Sequence, residues 1–229
     1  MSNLIAFYRS SIGKKILMSI TGLFLCTFLV EHLVGNLLLF KEDGGRAYEA
    51  YTELLVHNPV IRFIEIFLFA GLIIHAFLGV VVWWKNRTSR SHDYVEFRLK
   101  DNTPLSSRIT IWSGSVVFIF LVIHLNSFFV PSRLTDSNVP LYDLVAQAFQ
   151  SPLYDGFYII ALILLGYHLK HGFQSGFQTL GLLNKKYSTL VEVFGIIFWL
   201  VIPFLFACMP LYFLLIHKLG PSAMTLGVN

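Results

Sequence analysis

A bundle of five transmembrane helices running alternately up and down is the fold class this sequence predicts, and three observations predict it. Of 229 residues, 55% are hydrophobic and only 13% charged, with a mean hydropathy of +0.67, which is too little polar surface to cover a soluble globule. Apolar runs long enough to cross a bilayer recur five times, separated by polar segments. Lys and Arg are distributed unevenly over the resulting connections. The spans are expected at about 16–40, 60–84, 108–130, 153–176 and 190–217, packed as a single domain over residues 1–229.

The first span follows Lys14 and Lys15 and is too long for the apolar core of a cleaved signal, so it reads as a retained helix. After it, residues 45–57 have the pattern of a short surface helix ending before Pro59. The second span closes on Trp83, Trp84 and Lys85, an interfacial aromatic and cationic anchor. Residues 85–107 are polar and basic, the third span stops at Pro131, and residues 141–150 suit an amphipathic interfacial helix. In the fifth span Pro203 and Pro210 are expected to kink the helix. Most Trp and Tyr read as belt positions at the interfaces. With the amino terminus cytoplasmic, 12 of the 17 Lys and Arg fall on the inner side, which fixes a multi-pass orientation in a cytoplasmic membrane. The net charge of +4 is accounted for by this bias and calls for no nucleic acid. Cys26 and Cys208 both lie in apolar runs outside any C-x-x-C pattern, which argues against covalent haem or an iron–sulfur cluster in this chain.

Four histidines stand inside spans one to four: His32, His75, His124 and His168, separated by 43, 49 and 44 residues. At 1.5 Å per residue, His32 and His124 lie roughly 24 Å above the cytoplasmic end of their spans, and His75 and His168 roughly 12 to 14 Å above theirs. Each level therefore holds histidines from two spans that run in the same direction, spans one and three at the outer level and spans two and four at the inner. Two imidazoles at one depth on different spans can ligate one haem iron from its two sides, with His32 and His124 on an outer b-type haem iron and His75 and His168 on an inner one. Small residues on the same faces offer room for a macrocycle: Gly35, Gly71, Gly79, Ser127 and Gly172. The competing reading is four interhelical hydrogen-bonding histidines, against which the matched depths weigh. His171, one turn from His168, is the alternative ligand in span four; depth favours His168 and leaves His171 to a propionate or solvent. Glu31 adjoins His32 and points off its face, toward either quinone protonation or the outer interface. Glu65 and Glu192 lie near span ends, where interfacial solvation accounts for them.

With these residues in hand, the chain resembles the cytochrome b subunit of succinate dehydrogenase and fumarate reductase in its single-chain, five-span, dihaem form. The matches are Phe-Leu-Val-Glu-His-Leu-Val-Gly-Asn from Phe28 to Asn36, Ile-Ile-His-Ala-Phe-Leu-Gly from Ile73 to Gly79, His124 in Phe-Leu-Val-Ile-His-Leu, and His168 followed by Gly172 and Ser175. The opening from Phe7 to Lys15 and the Thr21-Gly22 pair are also similar. The resemblance implies a membrane anchor in an enzyme complex, with a flavoprotein carrying FAD and an iron–sulfur subunit on the cytoplasmic side. Electrons would pass between succinate or fumarate and a membrane quinone, menaquinone being the usual partner of dihaem members, while the dicarboxylate chemistry resides in a partner subunit. The basic segment from Lys85 to Arg108 is the expected docking surface, against the plainer reading of a positive-inside loop. Two alternatives differ in class: the cytochrome b anchor of a formate dehydrogenase or hydrogenase, and a non-haem membrane transporter relaying protons through its histidines. A transporter predicts discontinuous helices with polar midplane residues. A bc-type cytochrome b would place ligands 13 or 14 residues apart on one helix, a separation no histidine pair here has.

Overall fold

The computed structural model describes residues 10–88, 109–135 and 139–219. Five helices are long and apolar enough to cross a membrane: α1 (Ser11–Phe40), α3 (Pro59–Thr88), α4 (Thr110–Arg133), α6 (Pro152–Thr179) and α7 (Ser188–Ile216). Two short helices, α2 (Arg46–His57) and α5 (Leu141–Ala148), lie across the end that is termed outer here. A hydrocarbon environment leaves backbone amides no solvent partner, so each apolar run closes its own hydrogen bonds as a helix. Each span also turns many large apolar side chains outward, among them Phe63, Phe67, Phe77, Ile119 and Phe204, as a lipid-facing surface requires.

Local chemistry sets the ends. Ser10 Oγ accepts from Gly13 N–H at 3.0 Å and caps α1, which therefore starts five residues before the expected boundary. At the outer end the chain turns through Gly44 and Gly45, at φ of 67° and 84°, a region other residues seldom adopt. Asp43 then accepts from Gly45 N–H at 3.1 Å and Ala47 N–H at 2.9 Å, starting α2. The Tyr142 ring covers Gly45, and Tyr142 N–H donates to the Glu49 carboxylate, so α2 and α5 are fastened to each other.

The α6 helix is central, packing on α1, α4 and α7, while α3 lies along α1 and touches α4. Close approach of α6 to α7 depends on Gly166: a Cβ there would stand 2.7 Å from the Trp199 carbonyl oxygen. That carbonyl is four residues before Pro203, which has no N–H to offer it. Residues Ile197–Val201 widen into a π-helical turn two residues before Pro203, and the helix resumes and carries Pro210 within it. A second π-helical turn, Leu125–Phe129, follows His124 in α4. The core is divided. A large outer cluster includes Leu33, Phe120, Phe128, Phe149, Tyr158 and Phe213, and a smaller inner one is built on Cys26, Leu169, Phe173 and Val191.

Candidate functional site

The four span histidines meet as two pairs across the bundle. The rings of His32 (α1) and His124 (α4) have centroids 5.7 Å apart with planes at 87°. Those of His75 (α3) and His168 (α6) are 6.2 Å apart at 82°. These are the partners that depth alone suggests. An imidazole nitrogen binds a metal at about 2 Å and sits about 1 Å from its ring centroid, so two rings on opposite sides of one metal ion have centroids about 6 Å apart. Both pairs fit that separation. Among the described residues no group of three His, Cys, Asp or Glu side chains is gathered to hold a metal; each site is a pair of imidazoles.

The second ring nitrogen has an acceptor at His75 and a hydroxyl partner at His124. His75 Nδ1 lies 3.2 Å from the Met18 carbonyl, which can only accept, so Nδ1 carries the proton and Nε2 keeps its lone pair. Thr21 Oγ1 stands 3.4 Å from the same nitrogen and directs its own proton to the Leu17 and Met18 carbonyls. His124 Nδ1 is 3.1 Å from the Tyr158 hydroxyl, and Asn36 Nδ2 is 3.4 Å from His32 Nδ1. His168 Nδ1 is buried without a hydrogen bond of good geometry, beside the Thr110 backbone. Aromatic rings enclose the outer pair: Phe28 and Phe206 against His32, Phe120 and Phe128 against His124.

Bare backbone encloses the inner pair instead. A Cβ on Gly22 would lie 3.0 Å from His75 Cε1, and one on Gly114 would lie 3.1 Å from His168 Cε1. Neither glycine is among the small residues whose spacing marks them as clearance for a macrocycle, although Thr21-Gly22 forms part of the family resemblance. Of those small residues, Gly79 and Gly172 have nothing within 4 Å of a Cβ, whereas the bare face of Gly35 is filled by the Tyr51 ring and that of Gly71 by Phe24. Ser127 is not simple clearance either, because its Oγ accepts from Tyr154 O–H at 2.9 Å. Tyr154 and Tyr158 are exceptions to the interfacial-belt reading of most tyrosines: Tyr158 is 5% exposed and packed inside the outer core, with Tyr154 against it.

The ring facing His75 is that of His168; His171 is half-buried on the next turn of α6. Glu31 is exposed and accepts from the Tyr51 hydroxyl at 2.7 Å, so α2 reaches back to the residue beside His32. Burial first, and that bond second, push the Tyr51 hydroxyl up to about 12. Glu65 is ion-paired with Arg62 at 2.7 Å, near the outer end of α3, and Glu192 is exposed. An open hollow of about 330 Å³ lies between α2 and α5, lined by Arg46, Glu49, Glu53 and Asp143, at the outer face and not at the histidine pairs. Of the expected docking segment, Lys85 and Arg87 are exposed, with Arg87 over the Trp83 ring at 5.7 Å, and residues 89–108 lie outside the described residues.

No family model and no solved structure matches the chain. Among curated proteins it is similar to the "Succinate dehydrogenase cytochrome b558 subunit" of Bacillus subtilis (strain 168), 26% identical over 179 residues that cover 72% of this chain and 80% of the relative.

Proposed function

We propose that this chain, a distant relative of the succinate dehydrogenase cytochrome b subunits, is the dihaem membrane anchor of a succinate:quinone oxidoreductase that passes electrons between an iron–sulfur subunit and membrane menaquinone. The observation that carries the reading is the meeting of four span histidines as two imidazole pairs, each with the separation that a shared metal requires. When bound, each b haem would supply a one-electron iron centre suited to electron transfer, one held by His32 and His124 and the other by His75 and His168. The chain's part is to hold the rings. Met18 fixes the tautomer of His75, Gly22 and Gly114 let α1 and α4 approach the inner rings, and the aromatic cage keeps water from the outer ones.

Two pairs stacked between the ends of one bundle form a relay along the membrane normal. With the amino terminus cytoplasmic, the His75–His168 pair lies nearer the iron–sulfur and flavoprotein partners, which would carry the FAD and the dicarboxylate site, and the His32–His124 pair nearer the outer face. Lys85, Arg87 and the basic residues that follow supply the docking charge. A cytochrome b anchor of formate dehydrogenase or hydrogenase type shares the paired imidazoles but not the likeness to a succinate dehydrogenase subunit. A transporter reading finds no discontinuous helix among the described spans, since both π-helical turns continue into α-helix. The test is ligand replacement. His32→Ala or His124→Ala removes the outer haem and keeps the inner; His75→Ala or His168→Ala does the reverse. Variants within one pair that affect different haems would refute the assignment.

A further inference from the structure

The outer histidine pair is held differently from the inner one, and the difference lies in a chain of hydroxyl groups on α6 and α4. Tyr154 O–H donates to Ser127 Oγ at 2.9 Å. A phenol has one proton to give, so Tyr154 has none for Tyr158, whose oxygen is 3.0 Å away. Tyr158 must therefore be the donor in that bond. Its proton is then committed to Tyr154, and the remaining contact, 3.1 Å to His124 Nδ1, requires the imidazole to donate. The polarity of the whole chain follows from one end: His124 Nδ1–H to Tyr158, Tyr158 to Tyr154, Tyr154 to Ser127. The result is an imidazole with its proton on Nδ1 and the lone pair of Nε2 free.

Packing keeps this chain in register. The Tyr158 ring meets Phe120 at 4.8 Å and Phe149 at 5.0 Å, both nearly edge-on, and Phe149 is the residue on which α5 ends. The π-helical turn Leu125–Phe129 contains Ser127, just past the His124 it serves. For His75 the same duty falls to a main-chain carbonyl. For His124 it falls to a side chain.

Resting on the dihaem reading above, we infer that Tyr158 is a positioning residue that sets the electron-donating strength of His124, and so the potential of the outer haem independently of the inner. An acceptor on Nδ1–H gives the imidazole partial imidazolate character and favours the oxidised iron to which it is bound. Tyr158 oxygen supplies that acceptor, and Tyr154, by taking Tyr158's proton, keeps the oxygen lone pair turned to the histidine.

The experiment is a redox titration with EPR of the oxidised haems on the purified complex, comparing wild type with Tyr158→Phe and Tyr154→Phe. Haem content is measured first in each. The expected result for Tyr158→Phe is two haems, an upward shift of one midpoint potential with the other unchanged, and a changed low-spin EPR signal for the shifted haem alone. Tyr154→Phe moves the same midpoint in the same direction by less. Two haems with both midpoints and both signals as in wild type would overturn the inference while leaving the proposed function intact. Should Tyr158→Phe lose the outer haem, Tyr154→Phe decides: a same-direction shift upholds the inference and an unchanged potential overturns it. Wild-type chain without haem would refute the proposed function itself, and this inference with it.

Discussion

Replacing Gly22 by alanine puts a methyl group against the face of His75. The added Cβ would stand 3.0 Å from Cε1 and 3.3 Å from Nδ1, where carbon contacts settle at about 3.5–4.0 Å, so the ring has to withdraw by about 0.5 Å or more. It is not free to do so, because Nδ1 is tied at 3.2 Å to the Met18 carbonyl, on the same helix as the new methyl. Withdrawal lengthens that bond past useful range and costs about 0.5–1.5 kcal/mol, and overpacking adds about 1–3 kcal/mol. The natural control is Gly79→Ala on α3, where a Cβ meets nothing within 4 Å. Both substitutions gain the same helix propensity, about 1 kcal/mol, so their difference isolates the clash. Thermal unfolding in detergent and a dithionite-reduced spectrum of each variant make the comparison. Gly22→Ala is expected to be less stable than Gly79→Ala by about 1.5–4.5 kcal/mol, with the inner haem signal shifted or weakened and the outer unchanged. Equal behaviour of the two variants would refute the claim that bare backbone at residue 22 seats the His75 ring.

Other expectations follow from single contacts. Gly166→Ala drives a Cβ to within 2.7 Å of the Trp199 carbonyl oxygen, a backbone atom that cannot swing away; a lowered unfolding temperature is expected, and one at or above wild type contradicts the α6–α7 contact. His171→Ala leaves both haems bound, read as unchanged haem content, because His168 is the ring that faces His75; loss of the inner haem would exchange their roles. Tyr51, raised from 10 to about 12, favours the fold in its neutral form. That contribution is whole below about pH 10 and is lost as pH rises through about 12, by a small amount because the group is only partly buried. Tyr51→Phe should remove this alkaline step from an unfolding-versus-pH series, and an identical series would show that the Glu31 contact does not hold α2.

The spans and the pairing of histidines were legible because each depends on one dimension of the chain. Apolar length sets where a helix can cross, and residue count along it sets depth. What was not legible is rotation. In a membrane helix both the lipid face and the packed face are apolar, so no moment shows which side of α1 meets α3, and Gly22 could not be distinguished from Gly35 as the glycine beside a ligand. Gly35 proved to seat Tyr51, a residue on a short helix whose placement depends on the Gly44–Gly45 turn. The π-helical turns were equally hidden: Pro203 announces a disturbance, but not that the helix widens over Ile197–Val201, where the Trp199 carbonyl meets Gly166 of another span. Tyr154 and Tyr158 carried a signal that was passed over. Two phenols one turn apart in an apolar span share a face, and a buried phenol needs a partner.

Haem stoichiometry of the purified wild-type chain in its complex, with a reduced-minus-oxidised spectrum and EPR of the oxidised form, tests the central claim most directly. Two imidazole pairs predict two non-covalent, low-spin b haems per chain with separable signals. A single haem would dissolve one of the pairs, and no haem at all would return His32, His75, His124 and His168 to packing and proton transfer.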